Sequence, residues 1–176
     1  MKLLENDNIT LRAPEPEDLE LLYKWENDPQ WWSLGNTISP YSHFLLREYI
    51  KQSHRDIYDL KQLRLMIVIN ESKLTVGMID LYDFEPLHKR AGIGLLIAPD
   101  YQNQGIGRQA VELLTDYAFG FLKLHQLYVY IPTSNETCIH LFNKLEYRQT
   151  GHLTDWLSEK EGFTDVVVMQ KLNAQN

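Results

Sequence analysis

The stretch Gln102-Asn103-Gln104-Gly105-Ile106-Gly107 carries most of the information on fold and function in this sequence. It follows an apolar run at residues 93–97 and opens a segment whose apolar residues recur at helical spacing: Ile106, Ala110, Leu113, Leu114, Tyr117 and Phe121. A strand that leads through a glycine-containing loop into a helix creates a site for an anion, because the first helical N–H groups lack acceptors and the helix dipole is positive there. Gly105 and Gly107 also lack the Cβ atoms that would hold a phosphate away from the backbone. We therefore expect this loop to bind a phosphorylated cofactor.

Three interpretations of the loop are open. The first is a structural turn in which two glycines precede a helix. The second is a dinucleotide site, since residues 105–110 satisfy the pattern G-x-G-x-x-G/A. That pattern normally follows its strand directly and requires an acidic residue roughly 20 positions further on, whereas here residues 99–104 intervene and the next predicted strand contains no acid. The third is the pyrophosphate loop of the GNAT N-acyltransferases, Q/R-x-x-G-x-G/A, which this loop resembles at Gln102, Gly105 and Gly107. The surrounding sequence favours the third.

The composition is that of one globular domain, residues 1–176, with 44% hydrophobic residues and no linker or repeat. The formal net charge of −7 argues against a nucleic-acid partner. No apolar stretch approaches membrane-spanning length, and charge follows the first residues too closely for a signal peptide. The single cysteine, Cys138, fits a reducing compartment. We expect a cytoplasmic protein without a membrane partner or a metal site, and leave open whether it is a homo-oligomer.

The hydrophobic patterns predict a mixed α/β order. Strands are expected at residues 8–12, 63–69, 75–84, 90–97, 126–131, 147–155 and 164–172, and helices at 16–27, from Ser39-Pro40 to about residue 50, at 105–122 and at 135–145. This order predicts a three-layer α/β sandwich with a mostly antiparallel central sheet and helices on both faces.

This order, with the loop in its place, resembles the GNAT superfamily over essentially the whole chain, and within it the bacterial spermidine and ribosomal-protein N-terminal acetyltransferases. The resemblance rests on the order and spacing of several short segments: Ile9-Thr10-Leu11-Arg12, Glu17-Asp18-Leu19, His88-Lys89-Arg90-Ala91, Ile97-Ala98-Pro99-Asp100-Tyr101-Gln102, Asp116-Tyr117-Ala118-Phe119, Asn135-Glu136, Ile139-His140-Leu141-Phe142, Lys144-Leu145, Gly151, Gly162 and Asp165.

The resemblance implies acetyl-CoA as cosubstrate, bound where strand 90–97 separates from strand 126–131. The implied cofactor contacts are the backbone of Gly94, Leu95, Leu96 and Ile97 for the pantetheine arm, and N–H groups of Gln102, Asn103, Gln104, Gly105, Ile106, Gly107 and Arg108 for the pyrophosphate. The Asn135 side chain would also reach the pantetheine, although as a residue at a helix start it could equally be a plain N-cap. Arg108 could instead be a solvated arginine of the first helical turn.

Two positions depart from the family pattern. Phe142, which its position places in the cofactor site, stands where many relatives have a tyrosine that protonates the CoA sulfur. Gly92 stands where many relatives have a glutamate that acts as the base. The missing base matters more, because an alkylamine with a pKa around 10 is mostly protonated at neutral pH. We expect Asp83 to be the catalytic base, with Asp80 and His88 as alternatives.

The acceptor side is less informative. In GNAT relatives, the residues equivalent to 25–41 and the last hairpin form the walls of the acceptor site. In this chain the loop within residues 25–41 contains Gly35-Asn36-Thr37-Ile38, where polyamine enzymes have adjacent acids. Its tryptophans and tyrosine, like Trp156 in the hairpin, could bind an ammonium group or simply pack the core. Tyr128, Tyr130 and Tyr147 could each supply a hydroxyl group.

The sequence thus predicts an N-acetyltransferase in which a primary amine attacks acetyl-CoA directly in a ternary complex. A polyamine, a small amine metabolite and a protein N-terminus are open as acceptors. A CoA-binding sensor or structural protein with decayed catalytic residues is the alternative.

Overall fold

The computed structural model describes residues 3–32 and 38–174. The helices are α1 (Leu19–Glu26), α2 (Pro29–Trp32), α3 (His43–Gln52), α4 (Ile57–Leu60), α5 (Ile106–Gly120) and α6 (Glu136–Lys144). The strands are β1 (Ile9–Arg12), β2 (Leu63–Ile69), β3 (Thr75–Glu85), β4 (Arg90–Ile97), β5 (Gln126–Pro132), β6 (Arg148–Glu159) and β7 (Gly162–Leu172). Within the described ranges, no helix combines the length and apolarity needed to cross a membrane.

All seven strands form one sheet in the order β1-β2-β3-β4-β5-β7-β6. Every neighbouring pair is antiparallel except β4 and β5, which run parallel. The parallel pair is joined through α5, as parallel strands require a crossover connection. The predicted α/β sandwich on a mostly antiparallel sheet is confirmed.

The sheet carries a hydrophobic core on each face. On one face, α5 and α6 cover side chains such as Ile79, Ile93 and Leu127, all of which are fully buried or nearly so. On the other face, α1 and α3 cover Met66, Met78 and Leu96. Since side chains alternate along a strand, each central strand contributes to both cores: Met78 of β3 and Leu96 of β4 face α1 and α3.

The predicted helix start at Ser39-Pro40 is wrong. Helix α3 begins at His43, and Ser42 is its N-cap, with its hydroxyl oxygen accepting a hydrogen bond from the Leu45 amide at 3.1 Å. Both positions offer a serine before an apolar-periodic segment, and only the tertiary packing of Leu46 and Ile50 decides between them. The short helices α2 and α4 were not predicted, because four residues are too few to establish helical periodicity.

Candidate active site

A fork between β4 and β5 defines the site. The two strands pair only from Arg90–Gln126 to Gly92–Tyr128. Beyond Gly92, β4 continues to Ile97, and among the described residues it pairs there with β3 alone. The backbone of Gly94, Leu95, Leu96 and Ile97 therefore faces an opening on the β5 side, where an extended amide-containing ligand can add like a strand.

The loop at 102–108 lies at the N-terminus of α5. Its N-cap, Gly105, has a φ of 77°, in the left-handed region that favours glycine. The Gln109 amide donates to the Gly105 carbonyl at 3.2 Å, which leaves the preceding amides of Ile106, Gly107 and Arg108 without intrahelical acceptors. Three amides at the positive end of a 15-residue helix suit a phosphate group.

Gln102 fixes this loop to the strand. Its side-chain amide donates to the carbonyl of Ile97 at 2.9 Å, so it ties the loop to the last residue of β4. A Cβ atom on Gly107 would lie 3.4 Å from Leu95 and 3.6 Å from Ile97. Both are ordinary van der Waals distances, so packing against the strand does not require glycine at position 107.

Arg108 and Asn135 both have protein partners. The Arg108 guanidinium donates to Glu112 at 3.0 Å across an exposed helical turn. The Asn135 Oδ1 accepts from the Cys138 amide at 3.1 Å, so Asn135 is the N-cap of α6. Its Nδ2 group is the part of the side chain that can donate to a ligand.

Cys138 is no nucleophile. Its side chain packs against the core on the α5 side, and burial raises the pKa of its thiol to about 11. A thiol protonated at neutral pH does not attack a thioester efficiently, so a covalent route through this cysteine is disfavoured.

Phe142 is completely buried on α6. Its ring meets Tyr147 edge to face, with ring centroids 5.0 Å apart. The Tyr147 hydroxyl is 2.9 Å from the Thr115 hydroxyl, and burial raises the pKa of Tyr147 above its usual value. Tyr147 is therefore a bonded core residue rather than a free hydroxyl for catalysis.

Gly92 lies under the ring of Tyr82. The two residues are direct partners in the β3–β4 pairing, and a Cβ atom on Gly92 would come within 2.4 Å of the Tyr82 Cζ. Real Cβ atoms do not approach other atoms this closely, so the tyrosine occupies the space that a glutamate at 92 would need. In the sequence, position 92 lacks the glutamate base of many relatives. In the structure, the Tyr82 ring fills the space beside this position.

The three acids of β3 have different surroundings. Asp80 accepts two hydrogen bonds from Arg64, at 2.9 and 2.7 Å, and Arg64 is also paired with Glu26. The Glu85 carboxylate accepts from the Leu87 amide at 3.0 Å. Asp83 is exposed and has a φ of 48°, at a bulge where the β3–β4 register shifts.

This arrangement separates the candidate bases. The Asp80 carboxylate is neutralised by a nearly buried arginine, so it is tied to a structural ion pair. Asp83 forms no ion pair or hydrogen bond with any of the described residues. A bulge commonly redirects a side chain next to an active site, and Asp83 is the acid of β3 left free for chemistry.

Most of the aromatic residues expected on the acceptor side pack the core. Trp25 of α1 is buried in the core cluster that α1 shares with α3, and Trp31 and Tyr41 pack against the same cluster. Trp156 is exposed in the β6–β7 hairpin. Residues 33–37, which include most of Gly35-Asn36-Thr37-Ile38, lie outside the described residues. Nor does the described part contain a cluster of His, Cys, Asp or Glu suited to a metal ion.

Sequence reasoning missed Tyr82. Its ring contacts Tyr128, and Tyr128 contacts Tyr130, both edge to face with centroids 6.1 and 5.6 Å apart. The spacing of Tyr128 and Tyr130 placed them on one face of a strand. Only the register of β3 on β4 and β4 on β5 brings Tyr82 beside them.

Comparison with known proteins identifies the family of this chain. The model of the acetyltransferase (GNAT) domain family matches residues 8–148. The chain belongs to the GNAT acetyltransferase family. GNAT enzymes take their acetyl group from acetyl-CoA, and this enzyme transfers it to an amine.

Spermidine N-acetyltransferases are among the similar proteins. The Vibrio cholerae spermidine N(1)-acetyltransferase is 28% identical over 170 residues, covering 97% of this chain and 96% of that protein. The Escherichia coli K12 spermidine N(1)-acetyltransferase is 29% identical over 150 residues, with 83% and 76% covered. The crystal structure of the V. cholerae enzyme with CoA and spermine has a TM-score of 0.84, with 28% identity and 96% and 98% covered.

Proposed function

We propose that acetyl-CoA binds across the fork, with its pyrophosphate on residues 102–108 and its pantetheine along Gly94–Ile97. The free amides at the start of α5 and the unpaired edge of β4 support this placement. The Asn135 Nδ2 group donates to the pantetheine arm, whereas Phe142 is completely buried and lies in the core behind the cleft. The thioester then reaches the fork, where Gly92 and Tyr128 are the last paired residues.

The amine attacks the thioester directly, in a ternary complex. An ammonium group has no lone pair for attack, so it first loses one proton to Asp83, directly or through water. Its nitrogen then forms the C–N bond while the C–S bond breaks, and the nitrogen loses its second proton to solvent. Because Phe142 has no hydroxyl, the departing CoA thiolate takes its proton from water. With a thiol pKa near 8.5, this leaving group is adequate without an acid.

The acceptor is a small primary amine, for which spermidine is the first compound to test because similar proteins carry that name. We further propose that the enzyme works in the cytoplasm as a homo-oligomer, as a V. cholerae spermidine N-acetyltransferase with 28% identity has a dodecameric structure.

The strand fork is the observation that carries the proposal, and release of free CoA thiol tests it. Acetyl-CoA is incubated with a panel containing spermidine, short alkylamines and a peptide N-terminus. Steady thiol release with one of these amines, together with CoA binding by calorimetry, is the expected result. CoA binding without turnover on any amine would instead favour the alternative of a catalytically inactive CoA-binding protein.

A further inference from the structure

Three tyrosines line the fork on the face that carries α1 and α3. Tyr82 crosses over Gly92 from β3, and Tyr128 and Tyr130 follow on β5. Neighbouring rings stand nearly at right angles, 85° between Tyr82 and Tyr128 and 77° between Tyr128 and Tyr130. The rings meet edge to face, and the uncovered ring faces beside these contacts, here called the corner, are a favourable place for a cation.

No lysine or arginine of the described residues lies over these three rings, although Arg90 is near enough to Tyr128 to oppose the rise of its pKa. In residues 3–32 and 38–174, the lysines and arginines that lie over an aromatic ring lie over Phe84, Tyr49 and Tyr147. In the same ranges, the hydroxyls of Tyr82, Tyr128 and Tyr130 form no hydrogen bond, and no buried side-chain oxygen or nitrogen lacks a partner. The three hydroxyls therefore reach solvent, and Tyr130 is itself 45% exposed.

Asp83 adds a negative charge to this corner. Its carboxylate acts on both neighbouring rings: burial and then Asp83 raise the pKa of Tyr128 to about 12, and Asp83 contributes to the raised pKa of Tyr82. Both phenols are thus neutral at pH 7. Asp83 lies at the bulge where the β3–β4 register shifts, and a bulge next to an active site commonly redirects a side chain.

We propose that Tyr82, Tyr128 and Tyr130 form the subsite that holds the acceptor's ammonium group and its first methylene carbons, so that the acceptor is an alkylammonium ion. This inference rests on the proposed function, since Asp83 takes its proton from the ion held there. The ring faces attract the positive charge and cover the carbon chain, and the neutral hydroxyls reach solvent.

Tetramethylammonium tests the subsite without any reaction, because it has no N–H group to acetylate. We expect it to inhibit acetylation of an alkylamine competitively, whereas neutral tert-butanol of similar size does not. Its binding is also measured by saturation-transfer NMR on the protein alone. If no amine is acetylated, the proposed function fails, yet the NMR signal still decides whether the subsite exists.

Tyr130→Leu removes the most exposed of the three rings. We expect tetramethylammonium binding to weaken and the alkylamine KM to rise, both about 5- to 30-fold, as a cation–π contact of ordinary strength predicts. Tyr130→Phe keeps the ring and should stay within about twofold of wild type. Tyr117→Leu on α5 removes a half-buried tyrosine that stacks on Phe121 and should change neither value.

Hydroxylamine, an uncharged nucleophile at neutral pH, supplies the last control, because Tyr130→Leu should reduce its turnover much less than that of the alkylamine. An unchanged alkylamine KM in Tyr130→Leu would overturn the proposal. An equal loss with hydroxylamine, or no binding of tetramethylammonium to the wild type, would overturn it as well.

Discussion

Both carboxylate oxygens of Asp80 accept hydrogen bonds from Arg64, one from Nε at 2.9 Å and one from Nη2 at 2.7 Å. Arg64 also binds Glu26 of α1 and lies 5.4 Å from the centre of the Tyr49 ring on α3. One guanidinium thus joins two strands and two helices, and its carboxylate partners and nearby ring hold the pKa of Arg64 above its usual value despite burial. Asp80, which the sequence analysis considered as an alternative catalytic base, therefore has a structural role.

Removing Arg64 should be more harmful than removing Asp80. Arg64→Met leaves two nearly buried carboxylates without their cation, and we expect the free energy of unfolding to fall by about 3–5 kcal/mol. Asp80→Asn keeps the Arg64–Glu26 pair and should cost less. Urea denaturation measures both, and kcat in folded Asp80→Asn should remain within about threefold of wild type. A hundredfold loss of kcat there would instead make Asp80 the base.

Asp83→Asn keeps the shape of the side chain and removes the proposed base. We expect kcat/KM for an alkylamine to fall about 10²-fold at neutral pH, with CoA affinity unchanged. The loss should shrink as the pH approaches the pKa of the amine, because the free amine then needs no base. Unchanged turnover at neutral pH would remove Asp83 from the mechanism, and a loss that is constant with pH would indicate a binding role instead.

Gly105→Val tests the phosphate loop. A β-branched residue at a φ of 77° is strained, and its side chain would stand beside the free amides of α5. We expect calorimetry to show CoA binding weakened at least about tenfold. Gly120→Ala is the matched control, since its new methyl group enters open space at the other end of the same helix. Wild-type affinity in folded Gly105→Val would refute the site.

Phe142→Tyr tests the missing acid. Turnover should rise or stay level, because a hydroxyl next to the CoA sulfur assists the departing thiolate. The ring is completely buried, so the new hydroxyl also needs a partner, and thermal unfolding is recorded alongside kcat. Folded protein with intact CoA affinity and a large loss of kcat would show that position 142 does not face the sulfur.

The sequence predicted those parts of the molecule that depend on local patterns. Alternation and helical spacing placed the strands and long helices, and the glycine loop lies at the start of α5 as expected. The helix start at Ser42 depended on packing of α3 against α1, which no local pattern encodes. The site was predicted where it is built from one continuous segment, 94–108, and missed where three strands meet at Tyr82.

The acids of β3 illustrate the same limit. Asp80, Asp83 and Glu85 are close in sequence, and the sequence favoured Asp83 as the base with Asp80 as an alternative. The partner of Asp80 comes from β2, and the register shift that isolates Asp83 comes from β4. Their different roles depend on residues far away in the chain.

The contact between Tyr82 and Gly92 also restricts how this enzyme can change during evolution. A glutamate at position 92 cannot be accommodated while the Tyr82 ring lies 2.4 Å from the position of its Cβ. A lineage that regains the glutamate must therefore move the Tyr82 ring or exchange it for a smaller residue. Substitutions at the two positions are coupled, so a library that varies position 92 should vary position 82 with it.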